Sequence, residues 1–221
     1  GCKDGVHCFK AGQISVILTV YKRNTTFEVL EALESQSVPP NKIFVWQNGD
    51  FQNLNWLKRS KFANKVEIVQ STHNFKFHGR FLLPLLFDTQ FTLILDDDML
   101  PGTKVIARMR DACVKHHGLI GINGRILNDL KNYRSQTLVG DGWFFETKWI
   151  RFLWQNRQYS IVNAEDIALS ASVKLLGNID SYVIGRDSDA QTWPDRKREW
   201  GADAVSSWRV ESNNWDNLRL N

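Results

Sequence analysis

The sequence has little cysteine and no long apolar run, and these absences exclude several classes of protein. Its three cysteines, Cys2, Cys8 and Cys113, give neither a disulfide framework nor the spacing of a zinc site. We expect free thiols, with a Cys2–Cys8 bridge as the alternative in an oxidising compartment. The longest apolar runs, residues 14–20 and 91–95, fall far short of the roughly 18 to 20 residues of a membrane span. Membrane-spanning, collagenous and disordered classes are therefore excluded.

The sequence also lacks a large excess of either positive or negative charge. The 221 residues include 28 basic and 24 acidic side chains, so the net charge is only +4, and no long cationic tract is present. A mild positive charge suits a nucleoside diphosphate as well as it suits a nucleic acid, so charge alone does not choose between them. With 43% hydrophobic residues the chain can bury a core, and we expect one compact domain.

Strand-like apolar runs alternate with amphipathic stretches in the first half of the chain, which predicts a parallel sheet covered by helices. The predicted strands there are residues 14–20, 42–47, 66–70 and 91–95. The predicted helices there are residues 25–36 and 78–87. In the second half we predict helices over 103–116, 147–154 and 164–176, and extended segments over 119–122 and 181–184.

Polar residues follow three of the predicted strands, at positions 21–23, 48–50 and 96–98. Sheets of this kind bind ligands in the crevice beyond the carboxyl ends of their strands. The three polar segments therefore converge on one edge of the sheet, and the chemistry of the protein is expected there.

The three consecutive acids at 96–98 are the most informative feature of the sequence. Neighbouring carboxylates repel one another, so a fold tolerates them only where positive charge is close. A hard divalent cation is the natural occupant, and Asp96 and Asp98, two residues apart, can face the same side. Mn²⁺ or Mg²⁺ held by few carboxylates keeps positions open for diphosphate oxygens.

Two alternatives to a metal site remain open for this acidic run. It could be a loop whose carboxylates cap the helix that starts near Thr103. It could also carry the aspartyl nucleophile of a phosphate-transferring hydrolase, although Leu100 stands where that class has threonine or valine.

Five features occur in order along the chain: residues 21–23, 42–48, 78–81, 96–98 and 165–168. Together they resemble the glycosyltransferases of the GT-A fold, most closely the exostosin-like family 64 and more distantly family 2. The resemblance implies an α/β, Rossmann-like domain with a mixed, mostly parallel sheet flanked by helices.

The same resemblance implies a division of the chain. Residues 1–12 would be an N-terminal extension and residues 13–221 a single GT-A domain. Within that domain, residues 13–99 would form the nucleotide-binding half and residues 100–221 the acceptor-binding half.

The resemblance also implies roles residue by residue. The nucleotide-sugar-binding residues would be Thr19, Tyr21, Arg23, Asn48, Asn74, Arg80, Asp96 and Asp97. Asp96 would hold the ribose, and Asp98 together with Asp96 would hold the metal, Mn²⁺ or Mg²⁺. The residue chemistry agrees for Arg80, because a guanidinium offers a fork of donors to phosphate oxygens.

Glu165 and Asp166 form the catalytic pair that the resemblance implies. Acids at a helix start are also favoured by the exposed amides there, so simple capping is the alternative. If the reaction inverts configuration, Asp166 would be the general base for the acceptor hydroxyl. If it retains configuration, the same carboxylate would steady an oxocarbenium-like transition state or position the acceptor.

The second half adds an aromatic surface and a departure from the family pattern. Seven of the nine tryptophans lie from Trp143 onward, and Asp141 and Trp143 are candidates for the acceptor or donor-sugar pocket, with ordinary turn chemistry as the alternative. GT-A enzymes often supply a late histidine to the metal, whereas all five histidines here precede Gly118. Water, a phosphate oxygen, Asp187 or Asp189 would then complete the shell.

The basic segment 195–201 could close over the diphosphate as a flap, with a solvated charged loop as the alternative.

The sequence therefore predicts a metal-dependent glycosyltransferase that moves a sugar from a UDP-sugar donor to a hydroxyl of a glycan or other acceptor. The alternatives are a nucleotidyl- or phosphoryl-transfer enzyme that uses the same acids, and a non-catalytic module that binds sugar or nucleic acid. We expect no nucleic-acid partner for the favoured function. Cysteine usage favours the cytoplasm, and the resemblance implies the Golgi lumen if an anchor has been removed.

Overall fold

The computed structural model describes residues 9–127, 136–155 and 164–184. In these ranges the strands are β1 (Lys10–Val20), β2 (Lys42–Asn48), β3 (Val66–Ser71), β4 (Thr89–Asp96), β5 (Leu119–Leu127), β6 (Gln136–Glu146) and β7 (Ser181–Val183). The α-helices are α1 (Thr26–Glu34), α2 (Val105–His116), α3 (Ile150–Gln155) and α4 (Glu165–Gly177). Short 3₁₀ turns cover Asn55–Arg59, Gly79–Phe81, Leu83–Leu86 and Thr147–Trp149.

The strands form one mixed sheet in the order β3-β2-β1-β4-β6-β5-β7. Neighbours are parallel from β3 to β4 and again between β5 and β7, whereas β6 runs antiparallel to both β4 and β5. The order reverses between β1 and β4, so a crevice opens at the carboxyl ends of these two strands. The predicted fold class, a mixed and mostly parallel α/β sheet flanked by helices, is confirmed.

The central strands are continuous apolar runs because both faces of the sheet are covered there. Val16, Ile17 and Leu18 of β1 and Leu93 and Leu95 of β4 have no exposed surface. Complete burial of such side chains contributes roughly 1.5–3 kcal/mol each. The strands therefore give the acidic segment after β4 a rigid base.

The start of β1 and the end of α1 differ from their predicted positions. β1 begins at Lys10, before the predicted start at Ile14. α1 ends at Glu34, because the Gln36 side chain leaves the helix direction and donates to the carbonyl oxygens of Ala32 at 2.9 Å and Gly102 at 2.8 Å. Gln36 thereby ties the end of α1 to the loop before α2.

The prediction of one helix over residues 78–87 is wrong. The segment forms two 3₁₀ turns, 79–81 and 83–86, because Pro84 cannot donate a helical hydrogen bond and restricts the residue before it. Trp154 Nε1 of α3 donates to the Phe81 carbonyl oxygen at 2.9 Å and fixes the first turn. The predicted helix over 147–154 likewise begins as a 3₁₀ turn and becomes α-helical only at Ile150.

Asp141, for which turn chemistry is the alternative to a pocket role, lies inside β6. Asp141 and Gly142 both have positive φ, +57° and +138°, and the register of β5 shifts opposite them, between Gly121 and Asn123. A Cβ at Gly142 would lie 2.6 Å from Ile122 Cδ1, so the irregular backbone and the close strand approach both require glycine there.

α2 packs on the sheet through an apolar face that includes a free thiol. Cys113 is buried there, and burial raises the pKa of its thiol to about 12. None of the helices within the described ranges has both the length and the apolar character needed to cross a membrane.

Candidate functional site

The candidate site lies where β1 and β4 end. Thr19 of β1 is aligned with Trp46 of β2 on one side and with Asp96 of β4 on the other. The Thr19 hydroxyl and the Trp46 indole nitrogen are both buried without a hydrogen-bond partner among the described residues. Buried polar groups are normally satisfied, so two such atoms in the row of Asp96 indicate that a ligand or ordered water completes this site.

Asp97 faces the opposite side of the chain from Asp96 and is 2% exposed. One carboxylate oxygen accepts from the Tyr21 amide at 2.7 Å, and the other accepts from Arg23 Nη1 at 2.6 Å. The Thr25 hydroxyl donates to the Asp97 carbonyl oxygen at 2.6 Å. Asp97 therefore ties the end of β4 to the loop after β1, an arrangement that favours a structural role over ligand contact.

Arg80 joins the acidic strand end to the start of α4. Its guanidinium donates to Asp96 Oδ1, and Nη2 donates to Glu165 Oε1 at 3.2 Å. Burial alone would lower the pKa of Arg80, but Asp96 and Glu165 raise it above its ordinary value. With its side chain 4% exposed, Arg80 holds two carboxylates in place and does not present its fork to an open crevice.

Trp143 supports Arg80 from within the core. The indole ring lies 4.9 Å from the guanidinium carbon of Arg80 and packs edge-on against Phe81. Its Nε1 donates to the Val139 carbonyl oxygen at 2.8 Å, and the residue is 2% exposed. The structure thus corrects the sequence interpretation, because Trp143 has no open surface to offer to a sugar.

Glu165 and Asp166 occupy the first turn of α4. Burial raises the pKa of Glu165 to about 7, against the lowering effect of Arg80. Asp166 is partly exposed, and its Oδ1 accepts from the Ile167 amide at 2.8 Å. The two acids therefore have different partners: Glu165 bonds to Arg80, and Asp166 bonds to the amide of Ile167 at the helix start.

Asn48 and Asn74, which the resemblance implies as nucleotide-sugar-binding residues, lie close together and bond to each other. Asn48 Nδ2 donates to Asn74 Oδ1 at 2.9 Å and to the Lys76 carbonyl oxygen at 2.8 Å. Asn48 Oδ1 accepts from the Phe75 amide at 2.7 Å. The buried Asn48 amide thus holds the loop after β3 against the end of β2.

Two arginines supply much of the positive charge that the acidic run requires. Arg23 pairs with Asp97, and its Nη2 lies 3.6 Å from Asp98 Oδ2, while Arg80 pairs with Asp96. A cation is therefore not the only group that balances these acids, which the sequence analysis did not foresee. The arginines were recognisable in the sequence, but their partners were not.

The donor set at Asp96 and Asp98 fits a hard cation in part. Both carboxylates are partly exposed, and carboxylate oxygens are what Mg²⁺ and Mn²⁺ prefer. Within the described ranges no three His, Cys, Asp or Glu side chains are grouped to hold a metal ion. The two acids fit a cation that receives its remaining ligands from a diphosphate and water.

Asp141 lies on the bulge of β6, exposed to solvent, and accepts a hydrogen bond from Asn123 Nδ2. The predicted metal ligands Asp187 and Asp189, the predicted flap 195–201 and the cysteines Cys2 and Cys8 lie outside the described residues.

Phe51 is a residue at this edge that the sequence analysis missed. Its ring packs edge-on against Tyr21, with centroids 4.8 Å apart, and the Lys22 ammonium lies 4.9 Å from its centroid. Gln52 Nε2 donates to the Arg23 carbonyl oxygen, so the loops after β1 and β2 are joined twice. The sequence signal that could have identified Phe51 is its position directly after the polar turn residues 48–50.

The fold and the crevice define a GT-A-like α/β domain. Scans of protein-family models and of curated proteins give no match to this chain. Among solved structures, S. aureus TarS 1–349 in complex with UDP is similar, with TM-score 0.58 and 18% identity over 79% of this chain and 58% of that chain. The complex of the same fragment with UDP-GlcNAc gives TM-score 0.58 and 17% identity, over 79% of this chain and 56% of that one.

A structure of S. aureus TarS that is not limited to residues 1–349 matches with TM-score 0.57 and 18% identity, over 79% of this chain and 35% of that chain. This chain therefore spans between about a third and three fifths of the structures that it matches. At these identities the comparison shows the fold.

Proposed function

We propose that this protein is a glycosyltransferase that takes a sugar from a UDP-sugar and transfers it to a hydroxyl of a glycan or other acceptor. The observation that carries the proposal is the Arg80 bridge between Asp96 and Glu165. It brings the acidic strand end and the acidic helix start to one crevice, on a fold similar to that of a protein crystallised with UDP and with UDP-GlcNAc.

The donor would lie across the carboxyl ends of β1, β2 and β4. Asp96 offers polar atoms to the nucleoside, as does Thr19, whose buried hydroxyl has no hydrogen-bond partner among the described residues. Arg80 acts as a positioning residue, because it fixes the orientation of Asp96 without reaching the crevice itself. Rigid placement of this kind lowers the entropic cost of reaching the transition state.

Asp98 and Asp96 would hold Mn²⁺ or Mg²⁺ together with diphosphate oxygens. A cation bound there stabilises the negative charge of the departing nucleoside diphosphate. We propose that the protein itself contributes a weak site, because two partly exposed carboxylates flanked by arginines bind a free cation poorly. Cation binding and UDP binding should then strengthen each other.

Asp166 would serve the acceptor. Both acids of the pair are partly exposed, but Glu165 already bonds to Arg80, whereas Asp166 accepts from the Ile167 amide. An ionised Asp166 can take the proton of the acceptor hydroxyl if the reaction inverts configuration. If the reaction retains configuration, the same charge can stabilise an oxocarbenium-like centre.

We further propose that the protein is a member of the exostosin-like family. This proposal depends on the order of the motifs at residues 21–23, 78–81, 96–98 and 165–168.

A thermal-shift panel with a hydrolysis assay tests the proposal. The wild-type chain is heated with UDP, UDP-GlcNAc, UDP-glucose, UTP or CTP, each with and without Mn²⁺. UDP and one UDP-sugar should stabilise the protein most, by about 2.7 kcal/mol at a hundredfold excess over Kd. The same UDP-sugar should be hydrolysed slowly to UDP when no acceptor is present.

Two aspartate variants sharpen this test. Asp98→Asn should remove the Mn²⁺-dependent part of the UDP shift, whereas Asp111→Asn, on the exposed face of α2, should leave it intact. Stabilisation by CTP or UTP as strong as that by UDP would favour nucleotidyl transfer instead. A chain that responds to no nucleotide would contradict the proposed function.

A further inference from the structure

A groove lies next to the crevice described above, between the loop after β2 and the edge strand β3. Its larger cavity, of about 500 Å³, is lined by Ile68 and Gln70 of β3 and by loop residues 50–55 and Lys58. A second cavity of about 360 Å³ shares Asn55 and Lys58 with the first and is also lined by Trp56. Because they share two lining residues, the two cavities form one elongated groove, here called the β3 groove.

Local packing fixes the wall of the larger cavity. Gly49 has φ +109°, and a Cβ there would lie 2.3 Å from Phe51 Cε2. The Phe51 ring therefore occupies the space that the missing side chain leaves, and Tyr21 holds it on another edge. Gln70 Nε2 donates to Asp50 Oδ1 at 2.8 Å and ties β3 to the loop. The groove is formed before any ligand binds.

The side chains of the groove match a neutral polyhydroxylated ligand. Phe51 and Trp56 are 42% and 40% exposed, so each cavity has one aromatic ring partly open to solvent. The amide side chains of the lining offer both donors and acceptors, as sugar hydroxyls do. The charged lining residues are Asp50, Lys58 and Arg59, so the net charge of the lining is only +1, which favours a ligand held through hydroxyls over a highly charged anion.

A buried amide side chain holds one of the lining residues in place. Gln47 is fully buried, its Nε2 donates to the Gln52 carbonyl oxygen at 3.0 Å, and its Oε1 has no partner among the described residues. Gln47 is aligned with Gln70 on the neighbouring strand, so both side chains lie on the same face of the sheet. Gln47 therefore supports the backbone of Gln52, which lines the larger cavity.

We propose that the β3 groove binds a neutral oligosaccharide of at least two sugar units. One unit stacks on Phe51 and the next on Trp56, because the apolar face of a pyranose packs on an aromatic ring. Asn55 lies between the two cavities and bonds to hydroxyls of both units. This binding needs neither UDP nor the acids of the crevice, so the proposal stands apart from the proposed transferase activity.

Saturation-transfer NMR on the full chain in the absence of nucleotide tests the inference. The probes are N,N′-diacetylchitobiose, cellobiose and lactose. At least one disaccharide should receive saturation from the protein, and its monosaccharide should receive less. Phe51→Ala and Trp56→Ala should each weaken binding of that disaccharide roughly fivefold. Phe9→Ala, which removes a ring 36% exposed before the start of β1, should not.

Asn55→Ala provides a variant that removes no ring, so it keeps the test decisive if Phe51→Ala lowers the melting temperature. It should weaken the disaccharide while leaving UDP binding unchanged. The inference is overturned if none of the three disaccharides receives saturation, or if Phe9→Ala weakens binding as much as the groove variants do. Displacement of the disaccharide by uridine would also overturn it, because the groove would then belong to the nucleotide site.

Discussion

Arg23 and Asp97, 74 residues apart in the chain, form an ion pair behind the crevice, with Nη1 2.6 Å from Oδ1. The second carboxylate oxygen of Asp97 binds the Tyr21 amide. The middle acid of the triple-aspartate run therefore bonds to the loop after β1, while Asp96 pairs with Arg80, Asp98 lies near Arg23, and both of these neighbours stay partly exposed. This division explains how three adjacent carboxylates coexist at one strand end.

Asp97→Asn should destabilise the fold by about 2 kcal/mol, because an amide has only one acceptor oxygen for two donors and one of them stays unsatisfied. Asp98→Asn is the matched control and should change the free energy of unfolding by less than about 1 kcal/mol. Urea unfolding followed by circular dichroism measures both. Equal effects of the two variants would contradict the assignment of Asp97 to structure.

Arg80→Met should cost roughly 3–5 kcal/mol, because it leaves the carboxylates of Asp96 and Glu165 without their buried partner. Adding Glu165→Gln to Arg80→Met should recover part of this loss, so a double-mutant cycle should give a coupling free energy above about 1 kcal/mol. The exposed pair Lys10–Asp88 is the control, and its cycle should give less than about 1 kcal/mol. Additive effects at Arg80 and Glu165 would show that the bridge does not form.

Glu165 should make the stability of the protein depend on pH. Burial raises its pKa in the folded chain to about 7, above the ordinary value of 4.5, so the folded state binds its proton more tightly than the unfolded state does. The contribution of Glu165 to the free energy of unfolding should therefore fall as pH rises from about 4.5 to about 7, and level off above.

Urea unfolding between pH 4 and pH 8 measures this dependence, with Glu165→Gln as the comparison. As pH rises across that range, the wild type should lose stability relative to Glu165→Gln. A difference that does not change with pH would show that Glu165 keeps an ordinary pKa.

Gly49→Ala should destabilise the protein by about 1–3 kcal/mol, because alanine is strained at positive φ and its methyl group would collide with Phe51. Gly140→Ala is the matched control, since a Cβ there would meet nothing within 4 Å. Thermal unfolding compares the two variants. If Gly49→Ala were as mild as Gly140→Ala, Phe51 would not be held as described.

The sequence predicted the fold class because the central strands are uninterrupted apolar runs, a pattern that both-sided burial imposes. The helix over residues 78–87 failed for a local reason, since Pro84 interrupts an otherwise helical pattern. That signal was present in the sequence and should have outweighed the apolar spacing.

The sequence predicted which residues form the site better than it predicted the contacts among them. Strand alternation already indicates that Asp97 faces away from Asp96 and Asp98, so its structural role was within reach of the sequence. The Arg80–Glu165 contact was not, because it spans 85 residues and depends on where α4 meets the sheet. Trp143 looked like a pocket residue, but only three-dimensional packing could show that it supports Arg80.

Modification of the Cys113 thiol can report local opening of the domain. Because it is buried on the face of α2 that packs against the sheet, and its pKa is raised to about 12, an alkylating reagent can modify it only after the helix lifts from the strands. In a chain with Cys2 and Cys8 replaced by serine, the rate of that modification would measure how often the domain opens, with or without nucleotide.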